Sequence, residues 1–572
     1  MRFAGCIVGC WFILANWGLA AKVSGKEAGL AARPNIILIL ADDMGFSDLG
    51  CYGSEIRTPN LDRLASQGVR WTQFYNTGRC CPTRASLLTG LYPHQAGVGH
   101  MIENEGSPAY HGEINDRCVT LAEALTPAGY RCDMVGKWHL VHMRITGKEQ
   151  VNHRNTDPFW FDKSDWPMQR GFESYYGTII GVGDYFDPFT LTQGNDTVES
   201  APPAGFYYTD AITDHAVSRV AEDAKANKPF FLYVAYTAPH WPLHARPDDI
   251  EKYKDTYRIG WDELRSRRYA REKELGIIDP KWELSPRERE VRPWEKAIDP
   301  DWQARRMAVY AAQIDRLDQG VGRILKAIDD AHVSDNTLVL FLSDNGACQE
   351  EVEPNWFDVT TATRDGRPVR VGDRPKQRQG SMPGPEEVYQ SYGFGWANAS
   401  NTPFRRYKHF AHEGGIATPF IARWPAAIHE RGAIHNEIGH VMDLMPTLLD
   451  LAGGKYPASF HDRAITPAQG ISLAAALRGE PHAPHPPLFW EHEGNRAVRV
   501  GNWKLVAEHN KPWELYDLAA DRSETHDLAK QLPEKVNELE REYQQWADRV
   551  GVRPWPSDSP RTQKSTHPVL SD

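Results

Sequence analysis

The chain has 572 residues, 41% of them hydrophobic and 11% aromatic, and a formal net charge of −11 at pH 7. This length exceeds that of a typical domain with a single hydrophobic core, so we expect two packed subdomains. The composition is that of a globular enzyme and excludes an intrinsically disordered chain. The negative charge excludes a general nucleic-acid binder, but it is compatible with a basic pocket that binds an anionic substrate.

The N-terminal segment, residues 1–21, has the features of a secretory signal peptide. Arg2 supplies the positive charge, residues 3–17 are almost entirely apolar, and the small residues at 18–21 offer a cleavage site. One alternative is a membrane anchor, since the apolar run approaches the ~20 residues that span a bilayer. A second is a lipoprotein cleavage box at residues 7–10. We favour removal of residues 1–21 and export to the periplasm or the extracellular space, with no stable membrane span.

Six of the eight cysteines follow this segment, and their spacing shows no pattern typical of a zinc site. Export permits disulfide bonds, and Cys118 and Cys132 are a candidate pair. The connectivity does not follow from the sequence.

Three near-continuous apolar runs predict strands that are buried on both faces of a sheet. They cover residues 34–40, 229–235 and 336–342. Helical stretches are predicted at residues 61–67, 84–89, 121–125 and 304–329. Strands that alternate with helices indicate an α/β sandwich with functional groups at the carboxyl ends of the strands.

Two polar stretches, residues 246–305 and roughly 351–395, are predicted to be long loops that shape a substrate site. From about residue 476 the pattern changes to short strands and one amphipathic helix. The strands are expected at residues 488–490, 496–500 and 503–507, and the helix at residues 533–550. We predict a catalytic domain over residues 33–475 and a smaller α+β C-terminal subdomain over residues 476–560.

Acidic residues follow two of the predicted buried strands. Asp42 and Asp43 follow the first strand, and Asp344 and Asn345 follow the strand at residues 336–342. Adjacent carboxylates repel each other and need a counter-charge. Four oxygen donors without histidine or cysteine suit a hard cation such as Ca²⁺ or Mg²⁺. An Asp-Asp pair alone is equally typical of a surface turn, but two such sets after two buried strands favour a metal site.

The segment Cys80–Gly90 carries the strongest local signal. Pro82 suits the first turn of a helix that begins near Cys81, which leaves Cys80 at the helix N-terminus. The backbone N–H groups and the positive end of the helix dipole favour a bound anion there. Arg84 adds a charged contact one turn later. The alternative is a buried or disulfide-bonded cysteine.

The same segment resembles the C-x-P-x-R-x-x-x-L-T-G signature of the sulfatase family, which belongs to the alkaline-phosphatase-like superfamily. Further motifs similar to those of the family follow in the family's order, at residues 40–45, 136–140, 238–242, 343–346, 408–415 and 513–518. The stretch 260–276 is most similar to bacterial arylsulfatases. The resemblance implies an α/β, alkaline-phosphatase-like sandwich with a large mixed central sheet flanked by helices, and a short antiparallel sheet in the C-terminal subdomain.

The resemblance also implies the cofactors and the site residues. Cys80 is expected to be oxidised to formylglycine (3-oxoalanine) by a formylglycine-generating enzyme, since only Cys80 has Pro82 and Arg84 at the family's spacing. One cation is expected, Ca²⁺ rather than Mg²⁺, because an oxygen-rich ligand set needs no strict octahedron. Its ligands are expected to be Asp42, Asp43, Cys80, Asp344 and Asn345. The catalytic set is expected to be Cys80, Arg84, Lys137, His139, His240 and Lys408.

A hydrated aldehyde at residue 80 carries two hydroxyl groups, and one of its oxygens is expected to attack the sulfur of the substrate. We expect Lys137, His240 and Lys408 to hold the sulfate while His240, assisted by Lys408, protonates the leaving oxygen. His139 is expected to deprotonate the second hydroxyl and so expel sulfate. The predicted reaction is hydrolysis of a small aryl sulfate or sulfated saccharide. The alternatives are a phosphonate-monoester or phosphodiester hydrolase of the same superfamily, and an inactive relative that binds sulfated glycans.

Overall fold

The computed structural model describes residues 33–142 and 163–556, apart from residues 182, 199, 227, 355, 357, 358, 360 and 364. The signal peptide predicted at residues 1–21 lies outside the described residues. Within the described ranges, no helix has both the length and the apolar character that crossing a bilayer requires.

The described residues contain nineteen strands. In chain order these are β1 (Asn35–Asp42), β2 (Val69–Tyr75), β3 (Arg131–Gly136), β4 (Ser174–Thr178), β5 (Leu191–Gln193), β6 (Asp196–Thr197), β7 (Phe230–Pro239), β8 (Thr337–Ser343), β9 (Arg370–Val371), β10 (Val388–Tyr389), β11 (Ala417–Arg423), β12 (Ala433–His435), β13 (Gly439–His440), β14 (Ser459–Phe460), β15 (Arg463–Ala464), β16 (Leu488–His492), β17 (Asn495–Val500), β18 (Trp503–Ala507) and β19 (Glu514–Asp517).

The described α-helices number fourteen. They are α1 (Pro59–Gln67), α2 (Cys80–Thr89), α3 (Pro93–Ala96), α4 (Leu121–Leu125), α5 (Tyr208–Asp223), α6 (Pro247–Glu251), α7 (Gly260–Leu275), α8 (Pro300–Asp330), α9 (Pro375–Arg378), α10 (Gly393–Ser400), α11 (Glu413–Ile416), α12 (Leu444–Ala452), α13 (Ala474–Leu477) and α14 (Pro533–Val550).

An 11-stranded mixed sheet forms the centre of the molecule, in the order β12-β2-β11-β8-β1-β7-β3-β4-β5-β6, with β13 also paired to β2. β1 is parallel to both of its neighbours, β7 and β8, whereas β11 is antiparallel to β2 and β8. Because the parallel strands β1 and β8 run side by side, their carboxyl ends meet at one edge of the sheet. Asp42 and Asp344 lie at that edge.

Both faces of this sheet are covered by apolar layers. Ile37 and Ile39 of β1 pack into one core, and Ile36, Leu38 and Leu40 pack into the other. All five side chains are fully buried. The predicted mixed central sheet within an α/β sandwich is therefore confirmed, and a strand buried on both faces explains the continuous apolar run.

The predicted helices are present, although three of them begin earlier than expected. α1 starts at Pro59 and α8 at Pro300, because a proline fits the first turn of a helix, where its missing N–H leaves no bond unmade. The Asp299 carboxylate caps α8 by accepting a hydrogen bond from the backbone N–H of Trp302. α2 begins at Cys80 rather than at Cys81.

A separate four-stranded antiparallel sheet, β16-β17-β18-β19, lies near the C-terminus and packs against α14. This sheet and the helix match the short C-terminal sheet and the helix at residues 533–550 that the sequence predicts. The boundary between residues 475 and 476 stays a prediction.

The predicted pairing of Cys118 with Cys132 is wrong, since all six cysteines among the described residues are free and buried. The Cys118 thiol donates to the carbonyl of Asn115 (3.1 Å), and the Cys132 thiol donates to the carbonyl of Ala122 (3.6 Å). The two thiols therefore face carbonyl groups of different segments.

Candidate active site

The four predicted oxygen ligands meet at the edge of the central sheet. Asp42 ends β1, and Asp344 and Asn345 directly follow β8. The backbone N–H of Asp43 donates to Asp344 Oδ1 (3.2 Å), and Asn345 Nδ2 donates to Asp43 Oδ1 (2.6 Å). Asp43 has a φ of 66°, a left-handed conformation that turns the chain sharply after the strand. All four residues are buried.

Each of the three carboxylates contacts a buried cation. Lys137 Nζ lies 2.5 Å from Asp42 Oδ2, and Arg84 Nη2 lies 2.8 Å from Asp344 Oδ2. A buried charge is tolerated only when it is paired and hydrogen-bonded. Arg84 also donates to the backbone carbonyl of Lys137 (3.0 Å), which ties α2 to the segment after β3. The third contact joins Lys408 Nζ to Asp43 Oδ1 (2.9 Å).

The pKa values of two of these carboxylates are shifted in opposite directions. Burial and, next, the neighbouring Asp42 raise the pKa of Asp344 to about 6 against the opposing effect of Arg84. Burial also raises the pKa of Asp43, but Lys408 and His240 outweigh it and leave that pKa below its ordinary value. The site therefore concentrates negative charge that requires positive charge close by.

Cys80 is the first residue of α2 and lies beside these carboxylates. One ligand atom from each of Asp42, Asp43, Cys80 and His240 lies within 4.8 Å of the others. Cys81, by contrast, is fully buried in the apolar core that also contains Leu38 and Leu40 of β1. Only the Cys80 side chain therefore faces the site, in agreement with the spacing of the motif. Burial raises the pKa of the Cys80 thiol to about 12, so an unmodified thiol is a poor nucleophile at neutral pH.

The two predicted catalytic histidines are oriented by their surroundings. His240 Nδ1 lies 2.6 Å from the carbonyl oxygen of Trp241, and its Nε2 lies 3.3 Å from Asp43 Oδ2. His139 is buried in a left-handed conformation, and its Nδ1 has no hydrogen-bond partner among the described residues. Gly181 lies close to this ring, since a Cβ at that position would lie 2.2 Å from it. The structure thus brings all six predicted catalytic residues to one site.

Two charged residues at this site were not predicted from the sequence. Glu350 Oε2 lies 3.7 Å from Lys408 Nζ and accepts a hydrogen bond from Trp241 Nε1 (2.9 Å). Arg79, the residue before Cys80, contacts Glu350 Oε1 (2.7 Å). Glu350 lies just before a long polar stretch with no periodicity, and no signal in the sequence distinguishes it from its neighbours.

The donor set fits a divalent cation. Asp42 Oδ1 and Asn345 Oδ1 are buried and have no hydrogen-bond partner among the described residues. Unpartnered buried oxygens are unfavourable, and an ion bound between them would remove that penalty. Carboxylate and amide oxygens are the ligands that hard cations prefer.

Two protein-family models match this chain, and so do several known proteins. The Sulfatase family model matches residues 34–454, and the model of the C-terminal region of N-sulphoglucosamine sulphohydrolase matches residues 405–548. An uncharacterized sulfatase of Schizosaccharomyces pombe is 33% identical over 558 residues, which are 92% of this chain and 95% of that protein. An arylsulfatase of Klebsiella aerogenes is 34% identical over 476 residues, 80% of this chain and 96% of that protein.

A solved protein with its substrate D-glucosamine-2-N,6-O-disulfate bound is 22% identical to this chain, and the alignment has a TM-score of 0.56. It covers 91% of this chain and 99% of that one, and it shows the shared fold. The family implies a bound metal ion and a formylglycine, and the buried group of aspartates, cysteine and histidine could hold a metal ion. The family match over most of the chain confirms the prediction from the motifs: this chain belongs to the sulfatase family and is a sulfuric ester hydrolase.

Proposed function

We propose that this enzyme hydrolyses small aryl sulfates or sulfated saccharides, with a formylglycine made from Cys80 and a bound Ca²⁺ ion. The observation that carries this proposal is the charge balance around Cys80. The three buried carboxylates, Asp42, Asp43 and Asp344, are matched by the three buried cations Arg84, Lys137 and Lys408.

This balance changes when a divalent cation binds. The buried charges cancel without the ion, and the ion adds two positive charges to a site of low dielectric constant. Unpaired buried charge is costly, so the loaded site favours an anionic ligand. A sulfate monoester supplies such an anion together with several acceptor oxygens for the basic side chains.

Asp42, Asp43, Asp344 and Asn345 would hold the cation, with residue 80 beside them. Ca²⁺ fits because the donors are all oxygens and their arrangement does not require an octahedron. When bound, the ion would supply positive charge that makes a neighbouring hydroxyl more acidic and stabilises negative charge in the transition state.

Formylglycine would supply a hydrated aldehyde, which gives a nucleophilic hydroxyl and a second hydroxyl for its own regeneration. The position of Cys80 supports this, because its side chain faces the carboxylates while Cys81 packs into the core. The modification requires a formylglycine-generating enzyme as a partner during maturation. We also propose export to the periplasm or extracellular space, directed by residues 1–21.

The remaining residues position the ester and move protons. Lys137 and Lys408 would hold the non-bridging oxygens of the sulfate, and Arg84 would hold the side chain at position 80. His240 Nδ1–H donates to the carbonyl of Trp241, which directs Nε2 towards the site. His240 would protonate the leaving oxygen as an imidazolium that also carries a proton on Nε2, assisted by Lys408.

His139 is assigned as the base that removes a proton from the second hydroxyl at position 80. Its unpartnered Nδ1 is available to accept that proton, and Gly181, which has no Cβ, leaves room for the ring. The arrangement separates the donor and the base on two different histidines.

The test is an assay of protein produced with a formylglycine-generating enzyme and supplied with Ca²⁺. We expect release of inorganic sulfate from an aryl sulfate, and a screen of sulfated mono- and disaccharides would then identify the natural class. Fully modified, calcium-loaded protein that releases no sulfate from any of these esters would contradict the proposal.

A further inference from the structure

A second cluster of side chains that commonly bind metals lies where the core of the chain meets the C-terminal sheet. His100 lies in the segment after α3, His492 ends β16, and Glu493 follows it in the turn. One nitrogen of each histidine and one oxygen of Glu493 lie within 4.8 Å of one another. The three ligand atoms therefore surround a common point.

Both histidines direct Nε2 at the same carboxylate oxygen. His100 Nε2 lies 3.2 Å from Glu493 Oε1, and His492 Nε2 lies 3.8 Å from that atom. The second distance is too long for a hydrogen bond. Neither ring nitrogen of His492 has a hydrogen-bond partner among the described residues, although the residue is only 3% exposed. Two unpartnered buried nitrogens are unfavourable unless a ligand completes them.

The surroundings of this cluster match the usual surroundings of a metal site. A metal-ligating histidine almost always directs its other ring nitrogen at a carboxylate or carbonyl, and ligating carboxylates are themselves hydrogen-bonded. His100 Nδ1 lies 3.1 Å from Glu105 Oε1, and Glu493 Oε2 lies 3.0 Å from His409 Nδ1. The Glu493–His409 contact is a hydrogen bond, whereas His100 Nδ1 lies at ion-pair distance from Glu105 without the geometry of a hydrogen bond.

We propose that His100, His492 and Glu493 form a second metal site that binds a zinc-type divalent ion. Two imidazoles and one carboxylate suit Zn²⁺, whereas Ca²⁺ requires a larger set of oxygens. Three protein ligands leave a coordination position for water or for an oxygen of a bound molecule. This site is distinct from the carboxylate site at Cys80 and does not depend on the proposed reaction.

The competing occupant of this cluster is a proton. Burial lowers the pKa of His100, but Glu105 and Glu493 outweigh burial and raise it to about 10. The same two carboxylates would attract a metal ion, so the charge distribution suits either occupant. A proton bound to His100 leaves both ring nitrogens of His492 without a hydrogen-bond partner among the described residues.

The experiment uses the complete calcium-loaded protein, equilibrated with micromolar Zn²⁺ in an excess of Ca²⁺ and then analysed for both metals. We expect one Zn²⁺ per chain in addition to the retained Ca²⁺. His492→Ala and Glu493→Gln should weaken Zn²⁺ binding by at least ~100-fold, and Glu105→Gln by roughly 10- to 100-fold.

A matched control is available at His435. Its Nε2 lies 3.1 Å from Glu430 and its Nδ1 lies 3.5 Å from Glu437, so it is a buried histidine between two glutamates. Within the described part of the chain it belongs to no group of three side chains that could hold a metal ion. The His435→Gln variant should bind Zn²⁺ with the same affinity and stoichiometry as the wild-type protein. Wild-type protein that binds no Zn²⁺, or Zn²⁺ retained by folded His492→Ala, would overturn the proposal.

Should His492→Ala fail to fold, the wild-type protein still decides the question. Anomalous diffraction at the zinc edge would place the ion between His100 and His492 if the proposal is correct. Zinc found only at the Asp42 carboxylates, with loss of Ca²⁺, would contradict it.

Discussion

Lys408 Nζ lies 2.9 Å and 3.0 Å from the two carboxylate oxygens of Asp43. We propose Asp43 as a ligand of the cation and Lys408 as a contact of the sulfate, so one ion pair joins the two binding functions. A cation bound at Asp43 would compete for that carboxylate and release the ammonium group towards the substrate. Metal binding and anion binding should therefore be coupled.

The first prediction follows from this coupling. Inorganic sulfate should bind at least ~10-fold more tightly to calcium-loaded protein than to calcium-free protein, a coupling free energy of about 1.4 kcal/mol. Titration calorimetry with and without Ca²⁺ measures both affinities. Lys408→Met should weaken sulfate binding in the loaded protein. Equal sulfate affinities of the calcium-loaded and calcium-free protein would show that the Lys408–Asp43 ion pair does not couple metal binding to anion binding.

The second prediction concerns the nucleophile. Peptide mass spectrometry should find an aldehyde at Cys80 and an unmodified thiol at Cys81 in protein from a host with the modifying enzyme. Cys80→Ala should lower turnover by at least ~10³-fold, since removal of a nucleophile costs this much or more. The variant should still fold, because the substitution removes a single buried sulfur.

Cys81→Ala is the matched control for that variant. It deletes a thiol one residue away that packs in the core and does not face the carboxylates. The aldehyde at position 80 should still form, and most activity should remain. Full activity in protein whose Cys80 is unmodified would refute the formylglycine mechanism.

The third prediction concerns the metal. Purified protein should contain one Ca²⁺ per chain, and Asp344→Ala should lose both the ion and the activity, because it removes a ligand and leaves Arg84 only its longer contact with Asp42 (3.6 Å). Elemental analysis and sulfate release provide the two measurements. Asp318→Asn is the control, since Asp318 is a buried carboxylate that accepts hydrogen bonds from the N–H groups of Asn60 and Leu61, neither of which is a predicted site residue. Stoichiometric zinc at the Asp42 carboxylates would contradict the assignment.

The sequence predicted the elements and site residues that depend on local patterns. A strand buried on both faces has to be continuously apolar, so the polar residues after it, such as Asp42 and Asp344, stand out. The helix at residues 533–550 was predicted from its amphipathic pattern. In the structure Pro533 lies in its first turn, and Gly551 adopts the left-handed conformation that ends it.

Features that depend on tertiary contacts were not predictable. The stretch at residues 351–395 was expected to be loop, yet it contains β9, β10, α9 and the start of α10. Asp373 holds this stretch together by accepting hydrogen bonds from the backbone N–H groups of Val352 and Ser391. His100 and His492 lie far apart in the sequence, so only the docking of the C-terminal sheet brings them together.

The fourth prediction concerns acid stability. The Glu413 carboxylate forms ion pairs with Lys504 (2.9 Å) and Arg522 (2.8 Å), and all three side chains are fully buried. Burial raises the pKa of Glu413, but the two cations outweigh burial and lower it from 4.5 to about 2. A lowered folded-state pKa gives stability that is present above pH 4.5 and is lost as the pH falls towards 2.

Glu413→Gln should therefore lower the free energy of unfolding by about 3 kcal/mol at pH 7, since it leaves buried cations less well paired. The difference from wild type should shrink below pH 4.5, as urea unfolding at several pH values would show. Glu538→Gln removes an exposed partner of Lys535 and should change stability by less than about 0.5 kcal/mol. A difference that is independent of pH would refute the titration of Glu413.

The fifth prediction separates a sulfatase from a phosphodiesterase of the same superfamily. Charge alone does not distinguish these esters, because a site with Lys137, Lys408 and a divalent cation attracts either anion. The number of organic groups does, since a sulfate monoester carries one and a phosphodiester carries two, and the family model that matches residues 34–454 is that of sulfatases.

We therefore expect kcat/KM for an aryl sulfate to exceed that for the matching phosphate diester by at least ~100-fold, or about 2.7 kcal/mol of transition-state discrimination. Both esters should carry the same leaving group and be assayed with one modified, calcium-loaded preparation. Cys80→Ala serves as the control, because it should abolish both reactions if they share one nucleophile. A slow phosphatase side reaction would agree with the prediction, since the basic side chains bind either anion. A faster diester reaction would show that the pocket selects esters with two organic groups, while the fold and the formylglycine would stand.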